Sequence, residues 1–192
     1  VDVEHTGSHT QFYDKFSIRY RIGSIIESAW NIPAYRASIR AEAADEKRFM
    51  GFINMLLNDA NHLLDETLGD LEEIHSLEVL VNSSSPEWTS LTDQEKQEKI
   101  DRLNQMQDMA KSYNQLANSN VKLLCLLTDD DVVRKVFLRP EMVARIAEML
   151  NYLLKRLCGD RCRDLKVSDP ARVAWKPRLL LSRVLQTFLH FH

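Results

Sequence analysis

One stripe of apolar side chains governs what this chain can fold into. Phe49, Phe52, Ile53, Leu56, Leu57, Ala60, Leu63, Leu64, Leu68, Leu71, Ile74, Leu77 and Val81 recur three and four residues apart. Side chains at that spacing share one face of an α-helix, so the stripe predicts a single helix of about nine turns over residues 45–82. Breakers are scarce to match. Five Gly and five Pro in 192 residues make about 5%, against roughly 12% in an average chain. Few breakers leave few tight turns, which excludes a β-sandwich, a Rossmann sheet or a disordered linker.

The rest of the chain divides at its few breakers. Residues 1–14 are polar and aperiodic and read as a flexible N-terminal segment, with 15–192 as the helical core. From Phe16, the set Ile18, Ile22, Ile25, Ile26, Ala29 and Trp30 predicts a first helix, stopped at Asn31-Ile32-Pro33. Pro33 suits the first turn of the next one. Ser83-Ser84-Ser85-Pro86 breaks the chain, and Thr92-Asp93-Gln94-Glu95 then reads as a capping box. The helix behind it carries Leu103, Ala110, Ala117, Val121 and Leu124. It should run antiparallel to the first long helix.

Asp129-Asp130-Asp131, Arg139-Pro140 and Lys176-Pro177 mark three further helix starts, and Gly159 a stop. Gly69 lies inside the long stripe as a possible bend. No repeat of tetratricopeptide or ankyrin type is visible. The expected fold is all-α, an irregular armadillo/HEAT-like α-solenoid of antiparallel helical hairpins. The chain opens on Val and ends in Phe188-Leu189-His190-Phe191-His192 with no stop signal, so it reads as a piece of a longer protein.

Chemistry is sparse. There is no Gly-rich phosphate loop, no GxSxG and no HExxH, so no catalytic residue and no cofactor is expected. His62 and Glu66 are four apart and could share a metal, but their flanks read as an ordinary polar helix edge. His5 and His9 have no ligand partner at metal spacing, and His75 borders the apolar stripe as a semi-buried side chain. Cys125 lies in an apolar run, while Cys158 and Cys162 flank Gly159-Asp160-Arg161. Three cysteines without a signal peptide read as free thiols in a reducing compartment. One polar feature stands out. Asn54, Asn58, Asn61 and Asp65 are spaced four, three and four, a stripe beside the apolar one. Asn is a mediocre helix former, so a run of it predicts hydrogen bonds to a neighbouring helix or loop.

The net charge of −3 hides an asymmetry. Residues 1–131 hold 12 Lys+Arg against 23 Asp+Glu, and residues 132–192 hold 13 against 5. The basic charges are dispersed among Leu, Val and Pro, so no nucleic-acid partner is expected. An acidic protein is the simpler partner for such a surface. No stretch approaches the roughly 18 apolar residues of a membrane span, and no membrane partner is expected.

Longer strings carry a resemblance. Phe52-Ile53-Asn54-Met55-Leu56-Leu57-Asn58-Asp59, Ala110-Lys111-Ser112-Tyr113-Asn114-Gln115-Leu116, Arg139-Pro140-Glu141-Met142-Val143 and Cys162-Arg163-Asp164-Leu165-Lys166-Val167 are similar to the core of the ubiquitin conjugation factors of the fourth-enzyme class. These are Ufd-type, U-box, chain-elongating ubiquitin ligases. The similarity keeps its order over residues 13–190. It implies an armadillo-like core of a factor that extends polyubiquitin chains on marked substrates in ubiquitin-dependent degradation, in cytoplasm and nucleus. It also implies work with an AAA-type segregase ATPase, ubiquitin-shuttle proteins and ubiquitinated substrates. The conjugating enzyme would be met only through the U-box, of which this chain has no pattern. The family tends to Tyr-Gly-Phe before its Lys-Pro, where this chain has Val173-Ala174-Trp175. The other reading left open is an unrelated armadillo/HEAT-like adaptor for peptides or transport cargo.

Overall fold

The computed structural model describes residues 9–192, with side chains from Ser17 onward apart from Glu46. It is all-α. In chain order the helices are α1 (His9–Trp30), α2 (Pro33–Ala44), α3 (Glu46–Val81), α4 (Pro86–Thr89), α5 (Asp93–Asp129), α6 (Asp131–Phe137), α7 (Pro140–Cys158) and α8 (Pro177–His190). A 3-10 turn at Asp160–Leu165 follows α7. Helix α1 begins at His9, ahead of the Phe16 start that apolar periodicity indicates, because its first turns carry no stripe to mark them. Residues 1–8, and with them most of the segment read as flexible, lie outside the described residues.

Local chemistry sets the boundaries. Pro33, Pro86, Pro140 and Pro177 each occupy a first turn, where a missing N–H costs nothing. The capping box is complete: Thr92 Oγ1 accepts from the Glu95 N–H, and the Glu95 carboxylate accepts from the Thr92 N–H at 2.8 Å. Such a cap contributes about 1 kcal/mol. Asp130 caps α6, accepting from the Val132 and Val133 N–H groups at 3.0 and 3.3 Å and from Arg40 of α2 at 2.8 Å. Burial works against the ionised Asp130, but Arg40 and the two backbone donors outweigh it and hold the carboxyl below its usual range. Gly69 leaves α3 unbroken and faces open space.

Helices α3 and α5 form the central hairpin. They run antiparallel, since Glu73 pairs with Arg102 near the turn while Leu56 lies beside Leu123 far from it. The faces between them bury Ile53, Leu57, Leu64, Leu71, Ala110, Ala117, Val121 and Leu124 in one continuous core. A second hairpin, α7 with α8, is laid on the first. Helix α7 follows α3 in the same direction, and α8 follows α5, with Arg183 on the Asn118 carbonyl and His190 on Thr128. Stacking of successive hairpins in one sense is how helical solenoids grow. Helix α1 packs across α5 and reaches α3 through Arg19, which meets Asp59 at 2.5 Å, while helix α2 packs against α3.

The segment between the 3-10 turn and α8 is the one irregular stretch of the second hairpin. Val173 and Trp175 are buried, the Trp175 N–H donates to the Pro170 carbonyl, and Asn114 of α5 donates to the Val173 carbonyl at 2.8 Å. Ala174 between them has φ 52°, a left-handed conformation that disfavours any side chain with a Cβ. It stands where the resembling family tends to Gly. Ala174→Gly should therefore stabilise the protein by about 1 kcal/mol, the relieved strain less the extra freedom of an unfolded Gly. A lower urea midpoint for the variant would contradict this.

Candidate functional site

The polar stripe of α3 faces α7. Arg145 on α7 donates to both Asn54 and Asn58, the latter at 2.6 Å. Two turns on, Tyr152 hydrogen-bonds Asp65; burial first, then this carboxylate, raise the Tyr152 phenol above its ordinary range. One turn further, Arg156 reaches Glu72 at 2.8 Å, and Arg161 joins the same carboxylate at 2.9 Å. Asn61 is half-buried and makes no side-chain hydrogen bond with a described residue. Residues 145, 152 and 156 are spaced seven and four, the same helical edge read from the other side. The stripe is thus one half of a ladder that fixes the register of α7 on α3.

A second polar cluster was not singled out by sequence reading. Glu78 is buried and accepts from Gln107 of α5 at 3.1 Å, from the Ser168 N–H at 2.7 Å and from the Ser168 hydroxyl at 2.6 Å. Its carboxylate therefore joins α3, α5 and the strap before α8 at one point. His75 reaches the Lys166 carbonyl at 2.5 Å from the same face of α3. A signal was present: Glu78 falls on the Leu71, Ile74, Val81 line, and Gln107 and Asn114 fall on the Leu103, Ala110, Ala117 line of α5. Polar groups at apolar positions are buried only with partners.

Other chemistry-bearing groups stay apart. The three cysteines are free thiols, and burial pushes Cys125 up from its ordinary range. Among the described residues no group of three or more His, Cys, Asp or Glu converges as metal ligands. His62 and Glu66 are not joined by others into such a set, and His5 and the His9 side chain lie outside the described residues. Also among the described residues, no helix is long and apolar enough to cross a membrane. A largely apolar cavity of about 350 Å³ is lined by Ile26, Ile39, Phe49, Phe52 and Leu127, together with Ser38, Glu42 and Arg48.

Asp70 is the strongest titration anomaly. Half-buried between Glu66 and Glu73, it is raised to about 6, by burial first and by those two carboxylates after it. A carboxyl raised in the folded state binds its proton more tightly there than in the unfolded chain. Stability then falls as pH rises from about 4 to about 6, and the penalty is complete above that. Asp70→Asn should raise stability at pH 7.5 by about 1 kcal/mol, allowing for solvent screening at a half-exposed site, and leave it unchanged below pH 4. Equal urea midpoints for the two proteins at pH 7.5 would refute this.

Together these groups define a class of protein: an all-α stack of helical hairpins whose buried polar side chains join one helix to another. Comparison with known families places it further. Residues 1–192 match the family described as "Ubiquitin elongating factor core", and the chain belongs to that family. It is 37% identical over 192 residues to "Probable ubiquitin conjugation factor E4" of Arabidopsis thaliana, covering 99% of this chain and 18% of the relative. It is 38% identical over 191 residues to "Ubiquitin conjugation factor E4" of Schizosaccharomyces pombe, again covering 99% and 18%. To "E4 ubiquitin-protein ligase UFD2" of Saccharomyces cerevisiae it is 35% identical, covering 99% and 20%. The chain spans about a fifth of the length of these relatives.

Proposed function

We propose that this chain is a core scaffold segment of a ubiquitin-chain elongation factor. It holds partners in place for polyubiquitin assembly and carries no transfer chemistry of its own. The observation that supports this is the match of the whole chain to the elongating-factor core family. The same match favours this reading over an unrelated peptide or cargo adaptor. A scaffold contributes by proximity: holding substrate-linked ubiquitin near a charged conjugating enzyme raises effective concentration without a local nucleophile. The α3–α7 ladder and the Glu78 cluster suit that role, since they lock helix against helix. On this reading the armadillo-like stack works in cytoplasm and nucleus with an AAA-type segregase ATPase, ubiquitin-shuttle proteins and ubiquitinated substrates. The conjugating enzyme is met through a U-box outside this sequence.

A discharge assay tests it. Incubated with a ubiquitin-charged conjugating enzyme, the chain alone should leave the thioester decaying at the rate seen in buffer. Faster discharge by the chain alone would overturn the scaffold reading.

A further inference from the structure

We infer that the strap between α7 and α8 is a docking platform for a short acidic segment of a partner protein. The stretch 155–178 holds eight Lys and Arg against three Asp, and its charges are not neutralised evenly. Arg156 and Arg161 are engaged by Glu72, and Arg161 also by Asp164 at 3.1 Å. Arg172 is held by Asn104 at 3.1 Å. Asp169, though exposed, accepts from the Ala171 and Arg172 N–H groups of its own turn. Lys155, Arg163, Lys166, Lys176 and Arg178 remain, all exposed, with no side-chain ion pair or hydrogen bond to a described residue.

Lys155 sits in the last turn of α7 and Arg178 in the first of α8, and the strap between them is fastened at successive points from Lys166 to Trp175. The Lys166 carbonyl is held by His75, Ser168 by Glu78, and the Val173 carbonyl by Asn114, while Trp175 is buried. A charged surface on a fixed backbone binds with less ordering cost than one on a loose loop. Leu179, exposed beside Arg178, adds an apolar contact point. The neighbourhood limits the size of the partner. Glu72 of α3 and Asp108 of α5 lie next to the patch, as the contacts of Arg161 and Arg172 place them. A long polyanion such as a nucleic acid would run from the cations onto these carboxylates, whereas an acidic peptide of a few residues would not.

The test is fluorescence anisotropy with the whole chain. The probes are a labelled peptide of roughly six residues rich in Glu, Asp and Leu, its Gln/Asn counterpart, and a single-stranded oligonucleotide of roughly a dozen nucleotides. The acidic peptide should bind, and bind several-fold more weakly when salt rises from about 50 to about 200 mM. The Gln/Asn peptide should not bind. Lys166→Gln with Arg178→Gln should weaken the acidic peptide about fivefold. Lys47→Gln with Lys111→Gln removes the same net charge elsewhere and should leave affinity unchanged. Absence of binding at low salt, equal losses in the two double variants, or tighter binding of the oligonucleotide would each overturn the inference. It stands on charge placement alone, so its failure leaves the scaffold reading to the discharge assay.

Discussion

Replacing Glu78 by Ala is expected to lower the unfolding free energy by about 3 kcal/mol, the largest effect anticipated for a single substitution here. The carboxylate accepts three hydrogen bonds in a buried site, and truncation strands the Ser168 N–H and the Gln107 amide without an acceptor. An orphaned buried donor costs about 1–3 kcal/mol, and that cost falls on the buried Gln107 amide. Exposed Ser168 leaves its N–H open to water and adds the loss of a charge-assisted bond. Glu78→Gln should lose about half as much, because its carbonyl still accepts and the Ser168 hydroxyl can turn to accept from the new amide. Urea unfolding of the three proteins checks this. A loss under about 1 kcal/mol for Glu78→Ala would show that the three joined elements hold without the knot.

Gly159→Ala should destabilise the protein by about 2 kcal/mol. Gly159 closes α7, but not through a left-handed cap: its φ of −79° and ψ of −174° are open to any residue. The reason is a close approach. A Cβ at this position would sit 2.4 Å from the Lys155 carbonyl oxygen, which itself accepts the Gly159 N–H at 2.9 Å. Backbone cannot yield as a side-chain tip can, so the last turn of α7 must open. Gly69→Ala supplies the contrast, because a Cβ there meets nothing within 4 Å. It should stabilise α3 by about 1 kcal/mol, from helix propensity alone. The same change would then carry opposite signs at a glycine within a helix and one just past a helix end, and matching signs would refute the steric argument.

Apolar periodicity and breaker positions were enough to place α3, α5, α7 and α8, because in those helices burial alone selects the face. The start of α1 was hidden for the opposite reason: His9 through Lys15 has no apolar repeat to read. The polar stripe was visible as Asn54, Asn58, Asn61 and Asp65, yet its partners were not. Arg145 and Tyr152 look like ordinary solvated residues until α7 is set beside α3. Glu78 shows the other limit. One carboxylate in an apolar line is legible as an anomaly, but Gln107 and Ser168 as its partners depend on the packing of three segments. Ala174 needed backbone angles, which no side-chain pattern reports.

The parallel course of α7 along α3 also bears on how the molecule assembles. Contacts at the turn of the α3–α5 hairpin join residues 29 apart in the chain, whereas the contacts from Arg145, Arg161 and Ser168 to α3 join residues 87 to 91 apart. Closing the longer loops carries the larger entropy cost, and α7 finds a seat on α3 only once α3 is held straight by α5. The central hairpin is therefore expected to form first and template the rest. Pulse-labelled hydrogen exchange would then show α3 and α5 amides protected before those of α7, and simultaneous protection would mean a single concerted collapse instead.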